Sequence, residues 1–140
     1  MKARDLPIYY NMCEILEHNL QHRADKMALF SEQGTLTFQE ASNQVNQVGN
    51  ALSRSGVRFG DCVAILSPDR AEWVTTFFAT AKIGGIALGI NTSLKPEEYK
   101  HILRDARVRV LVLHDSMLDL VEPVLSQYNG LSKVVVIGVD

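Results

Sequence analysis

Two imidazoles stand four residues apart in His18-Asn19-Leu20-Gln21-His22, a spacing at which one face of a helix presents two metal ligands. No glutamate follows His18 as in the helix of zinc proteases, and no third ligand is evident, so a solvated surface pair explains the stretch without chemistry. His114-Asp115 closes an apolar run, where a His–carboxylate pair could act as an acid–base unit. Asp115 is equally a good N-cap for the segment that follows. Arg104, Arg107 and Arg109 cluster near a helix-to-strand turn and could receive an anion, although helix C-termini favour such cations in any case. Glu97-Glu98 reads as helix-terminus stabilisation rather than as a paired acid and base, and Trp73 as a core or interface residue.

A phosphate loop would place backbone N–H groups at a strand-to-helix turn. The stretch AKIGGIALGIN, residues 81–91, carries three glycines but fails both common patterns. Ile86 stands where a dinucleotide loop needs its second glycine, and Ile90-Asn91 replace the Lys-Ser/Thr of a nucleotide-triphosphate loop. The flanking patterns place these glycines between a helix and a strand. Their expected work is a helix stop and close packing of strand against helix.

The elements that must position these groups alternate. MALF and TLTF flank Ser31-Glu32-Gln33-Gly34 and read as a hairpin over residues 27–37. Thr37-Phe38-Gln39-Glu40 fits a capping box, opening a helix with Phe38, Ala41, Val45, Val48, Ala51 and Leu52 on one face and Gly56 as its stop. CVAIL, residues 62–66, is the continuous apolar run of a strand buried on both faces. Ser67-Pro68-Asp69 then predicts a helix with Pro in its first turn, an Asp69/Glu72 capping box, and a buried stripe of Val74, Phe77, Phe78 and Ala81.

IALGI is the next strand. Pro96 opens a helix whose stripe is Tyr99, Ile102, Leu103 and Ala106. A strand over 110–113, a helix over about 116–127 and a strand over 134–138 follow, with Pro123 kinking that helix or marking its start. The expected fold class is α/β: a mostly parallel sheet flanked by helices on both faces, with a small N-terminal hairpin. Residues 1–140 read as one α/β domain, with 1–26 a helical segment docked outside the sheet through Met12, Ile15 and Leu16, and 27–140 the α/β body.

With 46% hydrophobic and 21% charged residues over 140 positions, the chain can bury one core. A net charge of −2 gives no reason to expect nucleic acid or an anionic membrane. Cys13 and Cys62 form no CxxC, and no secretory signal is read at the N-terminus, so a reduced cytoplasmic setting is expected. No apolar run approaches the roughly 20 residues that span a bilayer.

The order of the motifs carries a resemblance. Leu36-Thr37-Phe38-Gln39-Glu40 resembles the Leu-Thr-Tyr-x-Glu-Leu motif of the AMP-forming adenylating enzymes, with Ala41 in place of the last Leu. Gly56-Val57-x-x-Gly60-Asp61-x-Val63-Ala64-Ile65-Leu66-Ser67-Pro68 resembles their next block, with Asp69 where Asn is usual. In AKIGGIALGIN, Lys82, Gly84, Ile90 and Asn91 match a further motif; Gly89 departs from its proline and should loosen the strand end. Asn91-Thr92-Ser93-Leu94 before Lys95-Pro96-Glu97-Glu98 resembles the Asn-Thr/Pro-Arg-Leu-x-Pro-x-Glu run of CoA ligases. The resemblance covers about residues 27–138.

It implies an acyl-CoA ligase of the fatty- or aryl-acid type that uses ATP, Mg and CoA. A carboxylic acid becomes an acyl-adenylate and is then passed to CoA. In some CoA ligases the Arg of that last run contacts CoA phosphate. Here the position is Ser93, which cannot supply the charge, and Lys95 is the substitute the resemblance offers; both are placed in a CoA-proximal loop. The family's phosphate loop, ribose aspartate and C-terminal-domain lysine have no counterpart before Asp140. The chain is therefore expected to be an inactive N-terminal fragment that binds none of these cofactors tightly, its partners being the carboxylic acid and the rest of the ligase, with a homo-oligomer left open. The alternative expectation is a stand-alone binding or assembly module that kept the fold and lost catalysis.

Overall fold

A computed structural model describes residues 10–139. The expectation for the first nine residues lies outside that range. The chain runs α1 (Glu14–Arg23), β1 (Met27–Ser31), β2 (Gly34–Thr37), α2 (Phe38–Arg54), β3 (Cys62–Leu66), α3 (Ala71–Lys82), β4 (Ile86–Gly89), α4 (Pro96–Asp105), β5 (Val108–His114), α5 (Leu118–Leu125) and β6 (Lys133–Ile137). A short 3₁₀ turn, Asp115–Met117, lies between β5 and α5.

β1 and β2 form the antiparallel hairpin, closed with Ser31 paired to Gly34. Thr37 caps α2 as its spacing predicts. Its Oγ1 accepts the Glu40 N–H at 3.2 Å, and the Glu40 carboxylate accepts the Thr37 N–H at 2.8 Å. The Thr37 backbone bond, then its hydroxyl, hold the Glu40 carboxyl below its ordinary 4.5.

β3 to β6 form a four-stranded sheet in the order β4-β3-β5-β6, parallel throughout. From β3 the chain steps outward to β4 through α3, then returns past β3 and continues in the opposite direction through α4 and α5. A constant crossover hand then requires helices on both faces. Tyr99 and Leu103 of α4, with Val121 and Val124 of α5, close over Cys62, Ala64, Leu66, Leu111 and Leu113. On the other face Cys13, Leu16, Val45, Leu52 and Ala79 meet Val63, Val110 and Val112.

Three stripes differ from the sequence expectation. On α2 the buried positions are Ala41, Ser42, Val45, Gly49 and Leu52, while Ala51 is exposed. Gly49 is buried because α3 crosses there: a Cβ at 49 would stand 3.3 Å from Ile83 Cγ2. On α3 the buried side is Thr75, Thr76, Ala79 and Thr80, and Val74, Phe77, Phe78 and Ala81 are only half-buried. The hydroxyls are accommodated locally, Thr80 donating to the Thr76 carbonyl at 2.9 Å and Thr75 to that of Glu72 at 3.3 Å. On the N-terminal helix Cys13 and Leu16 are buried, whereas Met12 and Ile15 are about half exposed.

α3 also starts later than expected. Arg70, in an extended conformation, is its N-cap, so Glu72 falls one position short of the third helical residue that a capping box needs. Asp69 is left outside the helix, and Glu72 pairs with Arg70 at 3.3 Å instead. α5 begins before Pro123, which lies within it.

Candidate functional site

The connection from β3 leaves toward one edge of the sheet and that from β5 toward the other, so the carboxyl ends of these adjacent strands open a crevice, the usual ligand position in sheets of this kind. Three loops meet there: Ser67-Pro68-Asp69 after β3, Asn91–Lys95 after β4, and His114–Ser116 after β5. Ser67 is buried and donates to the Pro68 carbonyl at 2.9 Å.

His114 ends β5 with only 8% of its surface exposed. Its Nδ1 lies 2.8 Å from Ser116 Oγ and 2.9 Å from Asp115 Oδ1, and accepts the Ser116 N–H at 3.2 Å. The Ser116 N–H is shared, lying 2.6 Å from Asp115 Oδ1 as well. Nε2 is buried without a hydrogen-bond partner and faces Gly138, at φ 79°, where a Cβ would collide with the ring. The serine and the carboxylate crowd the same nitrogen, so this is not a nucleophile–base–carboxylate relay, in which they occupy opposite nitrogens. His114, not Asp115, is the residue that caps the turn.

The Asn91–Lys95 loop is fastened at both ends. Asn91 Oδ1 accepts the Ser93 N–H at 2.8 Å, and the Glu98 carboxylate accepts the Lys95 N–H at 2.8 Å. Ser93 and Lys95 are exposed on it. Beneath it Tyr99 is 1% exposed, and burial, partly offset by the Leu94 backbone, pushes that phenol up.

The glycines of residues 84–89 do structural work. Gly84, at φ 80°, follows the end of α3, and a Cβ at Gly85 would meet Thr80 Cγ2 at 2.9 Å. At Gly89 the indole of Trp73 fills the side-chain space, its Cζ2 only 2.7 Å from where a Cβ would stand, so the strand end is packed rather than loosened. Trp73 in turn stacks on Phe77 with centroids 5.3 Å apart.

The remaining sequence candidates lie elsewhere. Arg104, Arg107 and Arg109 are exposed where α4 passes into β5, at the opposite end of the sheet from the crevice. His18 and His22 are exposed on α1. Among the described residues no group of three or more His, Cys, Asp or Glu side chains could hold a metal ion. Burial, only partly offset by Lys82, pushes the Cys13 thiol up to about 11; it lies against the Phe78 carbonyl. Sequence reasoning placed Tyr99 on the buried stripe, Glu72 in a capping box and Gly138 at a strand end, without the contacts that the structure gives them.

A parallel, doubly wound α/β unit with its loops gathered at the strand carboxyl ends is a nucleotide-binding class of architecture. The sequence model of the AMP-binding enzyme family matches residues 16–139, and the chain belongs to that family. It is similar to benzoate–CoA ligase from Thauera aromatica, 31% identical over 139 residues that make up 97% of this chain and 26% of that protein. Among solved structures, an anthranilate CoA ligase, AuaEII, in complex with anthranoyl-AMP superposes with a TM-score of 0.95 at 56% identity, covering 99% of this chain and 27% of that one. A putative long-chain-fatty-acid CoA ligase from Rhodopseudomonas palustris CGA009 gives a TM-score of 0.87 at 29% identity, over 92% of this chain and 33% of that one. The chain thus spans about a quarter of the length of the curated relatives it matches.

No helix among the described residues is long and apolar enough to cross a membrane.

Proposed function

We propose that this chain is part of the larger AMP-binding domain of an acid–thiol ligase that activates an aromatic carboxylic acid with ATP and passes it to CoA. The observation that carries this is the 56% identity, along 99% of the chain, to an anthranilate CoA ligase. In the complete enzyme a carboxylate oxygen attacks the α-phosphorus and pyrophosphate leaves. The thiol sulfur then attacks the acyl carbonyl and AMP leaves. Both steps need donors fixed on developing negative charge. The crevice described here offers no cluster of cations, so the 140 residues alone are inactive, and ATP, Mg and the acid are held mainly by the rest of the enzyme. Ser93 and Lys95 form a CoA-proximal loop, with the Lys95 ammonium supplying the charge that Ser93 lacks. The free, buried cysteines Cys13 and Cys62 support a cytoplasmic setting.

The test uses the longest polypeptide translated from this reading frame, supplied with ATP, CoA and a panel of aromatic and fatty acids. Acyl-CoA formation with an aromatic acid is expected. Lys95→Ala should raise KM for CoA about tenfold, the scale of one lost charge-assisted bond of about 1.5 kcal/mol, while pyrophosphate release in the first step is unchanged. Turnover of fatty acids alone would overturn the aromatic assignment, and an unchanged KM for CoA would overturn the role of Lys95.

A further inference from the structure

The net charge of −2 conceals a polarity along the sheet. At the amino ends of its strands stand Arg54 in the last turn of α2, Arg58 before β3, Arg104 and Arg107 around the end of α4, Arg109 in β5 and Lys133 at the start of β6. All six are exposed, and among the described residues none is ion-paired. Asp61 and Asp105 offset them in part, Asp61 accepting the Arg58 N–H at 2.8 Å, and Glu17 is already paired with Lys82. The carboxyl ends carry the opposite sign, with Asp69, Glu97, Glu98, Asp115 and Asp119 exposed around the crevice. Arg107 is, among the described residues, the non-glycine held at positive φ, 50°, so a guanidinium stands where a glycine would be less strained.

Apolar side chains stand at the same end. Phe59 lies over Gly84 yet is 90% exposed, and Ile86, which starts β4, is 57% exposed. None of the clefts along the sheet and hairpin is lined by any of the six cations. Cations spread over several loops around no cavity fit an extended anionic surface rather than one small anion, and a protruding ring among them suits a lipid headgroup layer. Guanidinium groups grip phosphate oxygens through two parallel N–H bonds.

We propose that the amino end of the sheet is a docking face for an anionic lipid surface, with the arginines on headgroup phosphates and Phe59 entering between the headgroups. The charge polarity turns this end toward such a surface and leaves the crevice, at the other end, open. The proposal does not depend on the ligase reading.

The 140-residue chain would be floated with vesicles of phosphatidylcholine alone and of phosphatidylcholine mixed equally with phosphatidylglycerol. It should rise with the mixed vesicles at about 0.1 M salt and be released at about 1 M, where the screening length falls from about 10 Å to about 3 Å. Arg109→Gln should weaken binding about fivefold, the scale of one cation at an anionic surface. Arg107→Gly should do the same without lowering the melting temperature. Lys26→Gln removes a cation beside the start of α2, at that helix's far end from Arg54, and should change nothing. Phe59→Trp, made in a Trp73→Phe chain, should move its emission to shorter wavelength on the mixed vesicles. Equal binding to phosphatidylcholine alone, equal loss from Lys26→Gln, or no binding to either vesicle would overturn the proposal. Binding of polyglutamate without binding of vesicles would overturn it in favour of an acidic protein. Binding by the 140 residues and not by the longest polypeptide of the reading frame would show this end covered in that protein, and would overturn it as well.

Discussion

The two faces of the sheet are covered unequally. Over one, α4 and α5 seal Leu111 and Leu113 completely, and Leu103 and Val121 are without exposed surface. Over the other, α2, α3 and the hairpin stop short. Val112, Val135 and Ile137 are left as the floor of a groove of about 540 Å³ with Glu72, Thr75 and Thr76 on its wall. The cover of the first face ends at the sheet edge, where Val136 of β6, beside Leu113, is 39% exposed. A side chain on the sealed face loses many close contacts when truncated, whereas one on the groove floor loses few, so equal chemical changes should have unequal costs.

Leu103→Ala should therefore cost about 2–5 kcal/mol of unfolding free energy, the range for deleting a fully buried leucine side chain. Ile137→Ala on the open face should cost clearly less, under about 1.5 kcal/mol, because part of its surface already meets solvent. Urea denaturation of both variants checks the pair, and equal losses would show that the groove is already closed in solution. Gly138→Ala should fall between them, at about 1–3 kcal/mol, because a residue held at φ 79° against the His114 ring carries backbone strain.

Thr37→Ala should cost about 1 kcal/mol for the lost cap. The same cap makes acid stability specific. Glu40 sits below its ordinary 4.5 when folded, so its contribution is present above that value and lost as pH falls through the lower folded value. Glu40→Gln should flatten that acid limb of the stability curve, as followed by circular dichroism. The smallest effect is expected at Tyr99→Phe. Removing a buried hydroxyl that meets only the Leu94 backbone, without a well-aligned bond, should change the melting temperature little, and a fall of several degrees would show that contact to be a strong bond.

What the sequence revealed follows from the range of the forces involved. The Thr37/Glu40 box, the Gly34 turn and the helix stop at Gly84 are set by neighbours a few residues away, and the spacing states them directly. CVAIL declared a strand buried on both faces because a parallel sheet covered by helices needs no alternation. The buried side of α3 was concealed, since Thr75, Thr76 and Thr80 look polar until their hydroxyls fold back onto the preceding turn. Gly49 gave no local sign of purpose and is explained only by Ile83 beyond its own helix; Gly89 was expected to pack strand against helix, but its partner, Trp73, emerged only in the fold. At the candidate site, Asn91–Lys95 was visible through its motif. The capping role of His114 is a local contact with Ser116 two residues on, while its buried Nε2 is explained only by the distant Gly138.

The most direct single measurement is mass-spectrometric detection of acyl-adenylate. Anthranilate or benzoate and ATP would be incubated with the 140-residue chain and, in parallel, with the longest polypeptide of its reading frame. The expected result is aroyl-adenylate from the longer polypeptide and none from the 140 residues. Adenylate from the short chain alone, or none from either with any carboxylic acid, would contradict its place as one folded part of an AMP-forming ligase.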